Sequence, residues 1–460
     1  MAAMTRTQPD PPKRQGAAAR ELQLAPALEE HTLSSEDLAP PSEEHALSSE
    51  EHAPSSEEHG LSLEERALSF EERAPPSNRA RYYRERFERA LGVPFTDGNA
   101  VEPLLNGVEI FPAMLDAIRE SERSVDLLTF IYWTGRVARD FAKALSDAAA
   151  RGVRVRVLLD AVGAGPMNEQ LIDQMKGAGA QVEWFRPVVR WKIWESVKRT
   201  HRKVLICDGR VGFTGGVGIA EEWEGDATDP SEWREVHFRI LGPAVAGLEA
   251  AFLGNWMEVD PGAAAQTFPS NVVENAGPSA VEVLRSTSSV GWTDLALAFH
   301  TLISSAAERL RISTPYFVPD DLTVELLSDA ACAGVSIEIL VPGPHIDHRV
   351  SLLAGESEFG RLLEAGIDIR VYQPTMIHQK ILTADGAVSM IGSGNFNFRS
   401  MRHDDEIQVV VVDPDLTDRL DRMLDEDFGH GLPLDLSSWR RRGLMRRVLE
   451  SGSGVVQGHT

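Results

Sequence analysis

His201 and Lys203 stand two residues apart in "THRKVLICDG" (200–209), and Asp208 follows five residues after the lysine. The same H-x-K-x-x-x-x-D spacing returns 177 positions later in "IHQKILTADG" (377–386), as His378, Lys380 and Asp385. An imidazole can attack phosphorus to give a covalent phosphohistidine, and a second imidazole can protonate the departing alkoxide and then deprotonate an incoming acceptor. Two lysines would place fixed positive charge beside the non-bridging oxygens, where charge must be stabilised in the transition state. Two histidines and two lysines without a carboxylate cluster therefore suit a phosphodiester centre that needs no metal. Of 46 basic residues only 7 are lysine, and two of these fall in the motifs. A lysine kept against so strong an arginine bias points to a task for a compact ammonium.

The elements around the motifs must aim these side chains. "HRKVLIC" and "HQKILTA" read as short buried strands closed by a D-G turn, so each histidine shares a strand face with its lysine. Small residues follow: Gly215 and Gly216 in "TGG", and Ser393 and Asn395 in "GSGN", where backbone amides can approach phosphate oxygens. Each imidazole needs a partner for its other nitrogen, usually a carboxylate. Glu406 and, at the matching place, Glu235 are the candidates. Asp208 and Asp385 complete the two motifs, but their turn positions suit them to fixing local structure.

The chain alternates apolar strands with helical periods, which argues for α/β architecture. Segments also recur in order: "ARGVRVRVLLD" with "CAGVSIEILVP", "GAGAQVEWF" with "EAGIDIRVY", and "THRKVLICDGRVGFTGG" with "IHQKILTADGAVSMIGS". A duplication of long period follows, with lobes at 100–262 and 275–430, each contributing one motif to one shared cleft. Residues 78–99 read as a basic linker helix and 431–460 as a basic amphipathic C-terminal segment. From Leu28 to Pro76 a seven-residue acidic repeat is interrupted by prolines, which predicts a disordered tail over 1–77.

Composition narrows the function further. Hydrophobic residues make up 42%, with no apolar run long enough to span a bilayer and no secretory signal, so a cytoplasmic location is expected. Cys207 and Cys332 give neither a disulfide framework nor a zinc spacing. A net charge of −24, of which −10 lies in residues 1–77, opposes long-range attraction of nucleic acid, and a nuclease would need a basic groove with stacking aromatics. Two basic stretches instead carry apolar residues, at 186–203 with Trp191 and Trp194, and at 437–450 with Trp439. Both suit contact with anionic headgroups at a membrane surface.

These residues resemble the phospholipase D superfamily, and most nearly its bacterial cardiolipin synthase branch. The likeness runs from about residue 104 to 430 through "RTHRKVLICDGRVGFTGG", "WREVHFRILGPAV", "ISTPYFVPDD" and "GSGNFNFRS". It implies a duplicated α/β fold with two pseudo-two-fold related α/β/α lobes, no metal or cofactor, and a phosphatidyl-histidine intermediate. It also implies joining of two phosphatidylglycerol molecules into cardiolipin with release of glycerol. A phospholipase D hydrolase would use the same residues with water as acceptor. By the same likeness His201 would be nucleophile, His378 general acid and base, and Lys203, Lys380, Ser393 and Asn395 would hold phosphate while Glu235 and Glu406 steer the imidazoles. Departures lie at Gly218, where the branch commonly has Asn, at Asn397 in place of an aspartate, and at Asp404, where Asn is common.

Overall fold

The computed structural model describes residues 78–187, 198–262, 274–287, 293–347 and 349–441. The repeat-bearing residues 1–77, the Trp191 and Trp194 stretch, and the chain after Arg441 lie outside the described residues. After α1 (Arg79–Leu91), the first lobe runs β1 (Thr96–Leu105), α2 (Asn106–Glu120), β2 (Ser124–Thr129), α3 (Arg136–Ala150), β3 (Arg154–Asp160), α4 (Glu169–Gly177) and β4 (Gln181–Phe185). It continues with β5 (Val204–Cys207), β6 (Val211–Gly215), β7 (Val236–Leu241) and α5 (Val245–Val259). The second lobe repeats the series with β8 (Ser279–Ser286), α6 (Asp294–Ser305), β9 (Arg309–Ser313), α7 (Asp321–Cys332), β10 (Ser336–Pro342), α8 (Arg349–Glu364) and β11 (Asp368–Tyr372). It closes with β12 (Ile381–Ala384), β13 (Val388–Gly392), α9 (Phe398–Arg402), β14 (Glu406–Val412), α10 (Pro414–Gly429), β15 (Gly431–Pro433) and α11 (Leu436–Arg440).

Among the described residues, fifteen strands join one sheet in the order β15-β11-β10-β9-β12-β13-β14-β8-β1-β7-β6-β5-β2-β3-β4. Read outward from the antiparallel β8–β1 pair, the two halves carry corresponding strands in the same order, and β15 is added at one edge. The duplication is therefore a pseudo-two-fold of a continuous sheet. In each half, strands joined by helical crossovers pair in parallel, β3 with β2 and β4, and β10 with β9 and β11. Such strands are covered on both faces and read as apolar runs such as "RVRVLLD". Val157 and Leu159 of β3 pack with the α2, α3 and α4 residues Phe111, Phe141 and Ile172, whereas Leu158 turns to the opposite face with Val204, Phe252 and Trp256. Truncating Phe141, fully buried in that first cluster, would cost about 3–5 kcal/mol.

The basic helix is shorter than 78–99 and is not a linker. It stops at Leu91 because Gly92 takes a left-handed φ of 68° and returns its N–H to Glu88 O, and residues 96–99 already belong to β1. Its Tyr83 and Phe87 are buried in the second lobe's core, and Tyr83 donates its hydroxyl to Asp385 Oδ2 at 2.8 Å. The C-terminal segment also departs from expectation where it is described. β15 pairs with β11, and α11 buries Trp439 against Phe359 with ring centroids 5.6 Å apart. Trp439 thus fills the core of the second lobe and is not available to a membrane surface.

Candidate active site

The motif histidines and lysines do not lie within strands. β5 and β12 begin one residue after Lys203 and Lys380, because the preceding backbone bonds across the lobes and not along a ladder. His201 N donates to Asp405 O at 2.9 Å, and His378 N donates to Arg234 O at 2.8 Å. These exchanges set the side-chain pairing. His201 Nδ1 lies 2.9 Å from Glu406 Oε1 and His378 Nδ1 lies 2.7 Å from Glu235 Oε2, so each lobe's histidine is oriented by the other lobe's carboxylate. Lys203 and Lys380 each donate back to the carbonyl of their own histidine, at 2.8 and 2.6 Å. His201, Lys203 and His378 line one cavity of about 460 Å³, and Lys380 Nζ sits 3.1 Å from His378 Nδ1.

The two glutamates are fully buried, yet their carboxyls behave oppositely. Burial pushes Glu406 up, but His201, Lys203 and the Ser393 hydroxyl outweigh it and hold the carboxyl at about 2. Ser393 Oγ is 2.5 Å from Glu406 Oε2. Burial also raises Glu235, and Lys380, the Val236 N–H and the Trp223 indole N–H, 3.4 Å away, offset it only in part, which leaves it at about 7. A carboxylate held ionised accepts only, so His201 carries its proton on Nδ1 and keeps the Nε2 lone pair free. Burial brings Lys203 down to about 7 and Lys380 to about 8.

The small residues serve these groups. A Cβ on Gly216 would come within 2.5 Å of Glu235 Oε2 and 2.8 Å of Lys380 Nζ, and one on Gly215 within 2.5 Å of His237 Nδ1. Both glycines therefore make room for the carboxylate, the ammonium and a buried imidazole. Ser393 commits its hydroxyl to Glu406 and its amide to Ile407 O. Asn395 lines the cavity. Asp208 and Asp385, in left-handed turns with φ of 55° and 53°, stand outside the cavity. Asp208 accepts the amides of Glu122, Arg123 and Ser124, and Asp385 those of Ala307, Glu308 and Arg309.

Several residues were not singled out from the sequence. Arg202, between His201 and Lys203, points away from the cavity and donates to Glu406 O, Ala251 O, Ser286 O and Asn255 Oδ1. Asn255 in turn donates to Asp405 Oδ2 at 2.9 Å, which anchors the backbone that receives His201. Trp223 and Trp233 lie 5.2 and 5.1 Å from the His378 ring, and Phe130 lies 5.2 Å from His201. The signal available for Arg202 was its place between two same-face residues, which turns it toward the opposite side. Among the described residues no group of three His, Cys, Asp or Glu side chains is placed to hold a metal ion.

The family described as "Cardiolipin synthase, PLD-like domain" matches residues 114–223 and 299–428, one stretch in each lobe. Cardiolipin synthase 1 of Bacillus anthracis is 31% identical over 389 residues, covering 82% of this chain and 76% of its own. Cardiolipin synthase A of Pseudomonas fluorescens is 31% identical over 341 residues, covering 73% and 70%. Among solved structures, the phosphatidylserine synthase of Haemophilus influenzae superposes with a TM-score of 0.64 at 15% identity, over 82% of this chain and 99% of that one. The chain belongs to the phospholipase D superfamily, in its cardiolipin synthase branch.

Proposed function

We propose that the protein is a phosphatidyltransferase that joins two phosphatidylglycerol molecules into cardiolipin and releases glycerol. The observation that carries this reading is the similarity to cardiolipin synthases over most of the chain, and the crossed pair of histidine–glutamate contacts at one cavity supports it, because their unequal carboxyls suit the unequal tasks of a two-histidine transfer. His201 Nε2, its lone pair freed by an ionised Glu406, attacks the phosphorus of the first lipid. The phosphorus–oxygen bond to the glycerol head group breaks as His378 gives its proton to that oxygen. Glu235, held near neutrality, keeps a proton within reach of His378, which suits a group that must donate one. Neutral His378 then takes the proton of a hydroxyl on the second lipid. That oxygen attacks phosphorus and the bond to His201 breaks. Lys203 and Lys380 steady the charge on the non-bridging oxygens.

The enzyme would act at the inner face of the cell membrane as a peripheral protein. No helix among the described residues is long and apolar enough to cross a bilayer. Similarity to cardiolipin synthases over most of the chain supports a lipid substrate, and phosphatidylglycerol is proposed because two such molecules supply the phosphatidyl group and the hydroxyl from which cardiolipin is made. The test is lipid mass spectrometry after wild type and His201→Ala are incubated with phosphatidylglycerol vesicles. Cardiolipin formed only by wild type is the expected result. Phosphatidic acid in its place would make the protein a hydrolase, and no change in any lipid would favour a nucleic-acid phosphodiesterase.

A further inference from the structure

The two halves of the cavity wall have diverged at matching positions. In the second lobe Asn395 and Asp404 line the cavity. Their counterparts by strand register and by the crossed backbone bonds are Gly218 and Trp233. Gly218 has no space for a side chain, since its Cβ would meet Ile131 and the Trp223 ring at 2.9 Å. One wall is thus aromatic and the other polar. Asn395 and Asp404 are 6% and 5% exposed, and Asn395 Oδ1 and Asp404 Oδ1 have no hydrogen-bond partner among the described residues. The other Asp404 oxygen is taken by Arg399 Nε at 2.9 Å.

A buried oxygen without a donor is costly, and two on one wall of a substrate cavity require donors from elsewhere. Burial raises Asp404 to about 7, so near neutrality a share of it is ionised and, like the Asn395 amide oxygen, can only accept. Phosphate oxygens in a diester also accept and do not donate, so the phosphodiester cannot satisfy these oxygens. An ammonium donor would meet Arg399 and Lys203, which line the same cavity. Hydroxyls carry no such charge penalty. We propose that Asp404 and Asn395 form the hydroxyl-binding wall of an acceptor subsite, which selects a polyol head group over a monohydric alcohol or water. The inference rests on the transferase reading and adds to it the residues that choose the acceptor. Asp404 is a specificity residue here because it would touch the acceptor's free hydroxyls while His378 deprotonates the attacking one.

The test is a competition between equimolar deuterated glycerol and 1-propanol for phosphatidyl groups on phosphatidylglycerol vesicles, with labelled phosphatidylglycerol and phosphatidylpropanol counted by mass spectrometry. Wild type should favour glycerol by about ten-fold or more, since sites built to bond a hydroxyl reject analogues that lack it. Asp404→Leu should bring that ratio close to one, and Asp404→Asn, which keeps an acceptor oxygen, should restore part of it. Equal use of the two alcohols by wild type would overturn the subsite without any variant having to fold. An unchanged ratio in a folded Asp404→Leu would do the same. If wild type transfers to neither alcohol nor a second lipid, the transferase reading fails and the subsite falls with it.

Discussion

Glu406 opens β14 and Glu235, at the matching place, directly precedes β7, each against a histidine of the other lobe, yet one carboxyl is held at about 2 and the other at about 7. The difference has several sources: at Glu406 the contact with His201 comes first, then Lys203 and last the Ser393 hydroxyl, whereas Lys380, the Val236 N–H and the Trp223 indole offset the burial of Glu235 only in part. One of the sources is a single position. Where the second lobe has Ser393, whose hydroxyl reaches Glu406, the first lobe has Gly216, whose missing side chain leaves space for Glu235 and Lys380. Duplication reproduced the backbone that aims the imidazoles, and differences among the groups around the two carboxyls, Ser393 against Gly216 among them, separate the proton affinities of those carboxyls. Two equal pairs would compete for the same step, whereas unequal ones can divide attack from proton donation.

The largest test of this division uses the histidines. His201→Ala should lower cardiolipin formation by roughly 10⁴-fold or more. His378→Ala should lower it by about 10²–10⁴-fold, but should regain glycerol-independent attack on a phosphatidyl donor whose p-nitrophenolate leaves without a proton. Regain by His201→Ala and not by His378→Ala would reverse the assignment.

The glutamates should differ in size and in sign. Glu406→Gln removes an ionised partner and should cost kcat roughly 10²-fold or more, while Glu235→Gln should cost less near neutral pH. Stability should separate them too. A carboxyl held below its ordinary 4.5 stabilises the fold above that pH and loses the contribution as pH falls toward 2, which is the case of Glu406. A raised carboxyl costs stability as pH climbs from 4.5 to about 7, which is the case of Glu235. At pH 7 the melting temperature should therefore fall in Glu406→Gln and rise in Glu235→Gln.

The pH profile gives a third readout. Lys203 and Lys380, held at about 7 and about 8, lose charge as pH rises, so kcat/KM should decline above neutrality, well below the pH where an exposed lysine near 10.4 titrates. Bound phosphate favours the ammonium, so the same limb in kcat should lie at higher pH. A limb at the same pH in both would remove the lysines from the phosphate. Ser393→Ala should then make Glu406 behave more like Glu235, with a loss of about 2 kcal/mol of support for its charge and a rate lower by about ten-fold or more. The smallest effect belongs to Asp208→Asn and Asp385→Asn. Each weakens a turn held by three backbone amides, and the melting temperature should fall by a few degrees in either case. A loss in kcat far larger than the loss in stability would place these aspartates in the chemistry.

Much of this arrangement was legible along the chain. The repeated spacing of His201 with Lys203 and His378 with Lys380, the matched segments and the apolar parallel strands follow from local pattern, because backbone conformation and same-face alternation are short-range properties. The candidates Glu235 and Glu406 also followed from that pattern, but their partners did not. The contact between His201 and Glu406 spans 205 positions and exists because the sheet's pseudo-two-fold brings β14 beside the first motif. The same holds for α1, whose basic composition suggests a linker while its Tyr83 and Phe87 are buried in the second lobe. Trp439 likewise read as a membrane residue from its arginine neighbours and is instead packed on Phe359. Residue order along the chain specified which groups could do phosphodiester chemistry. Folding settled which carboxyl meets which imidazole and which of them stays ionised, because desolvation and cross-lobe hydrogen bonds arise from neighbours that no sequence window contains.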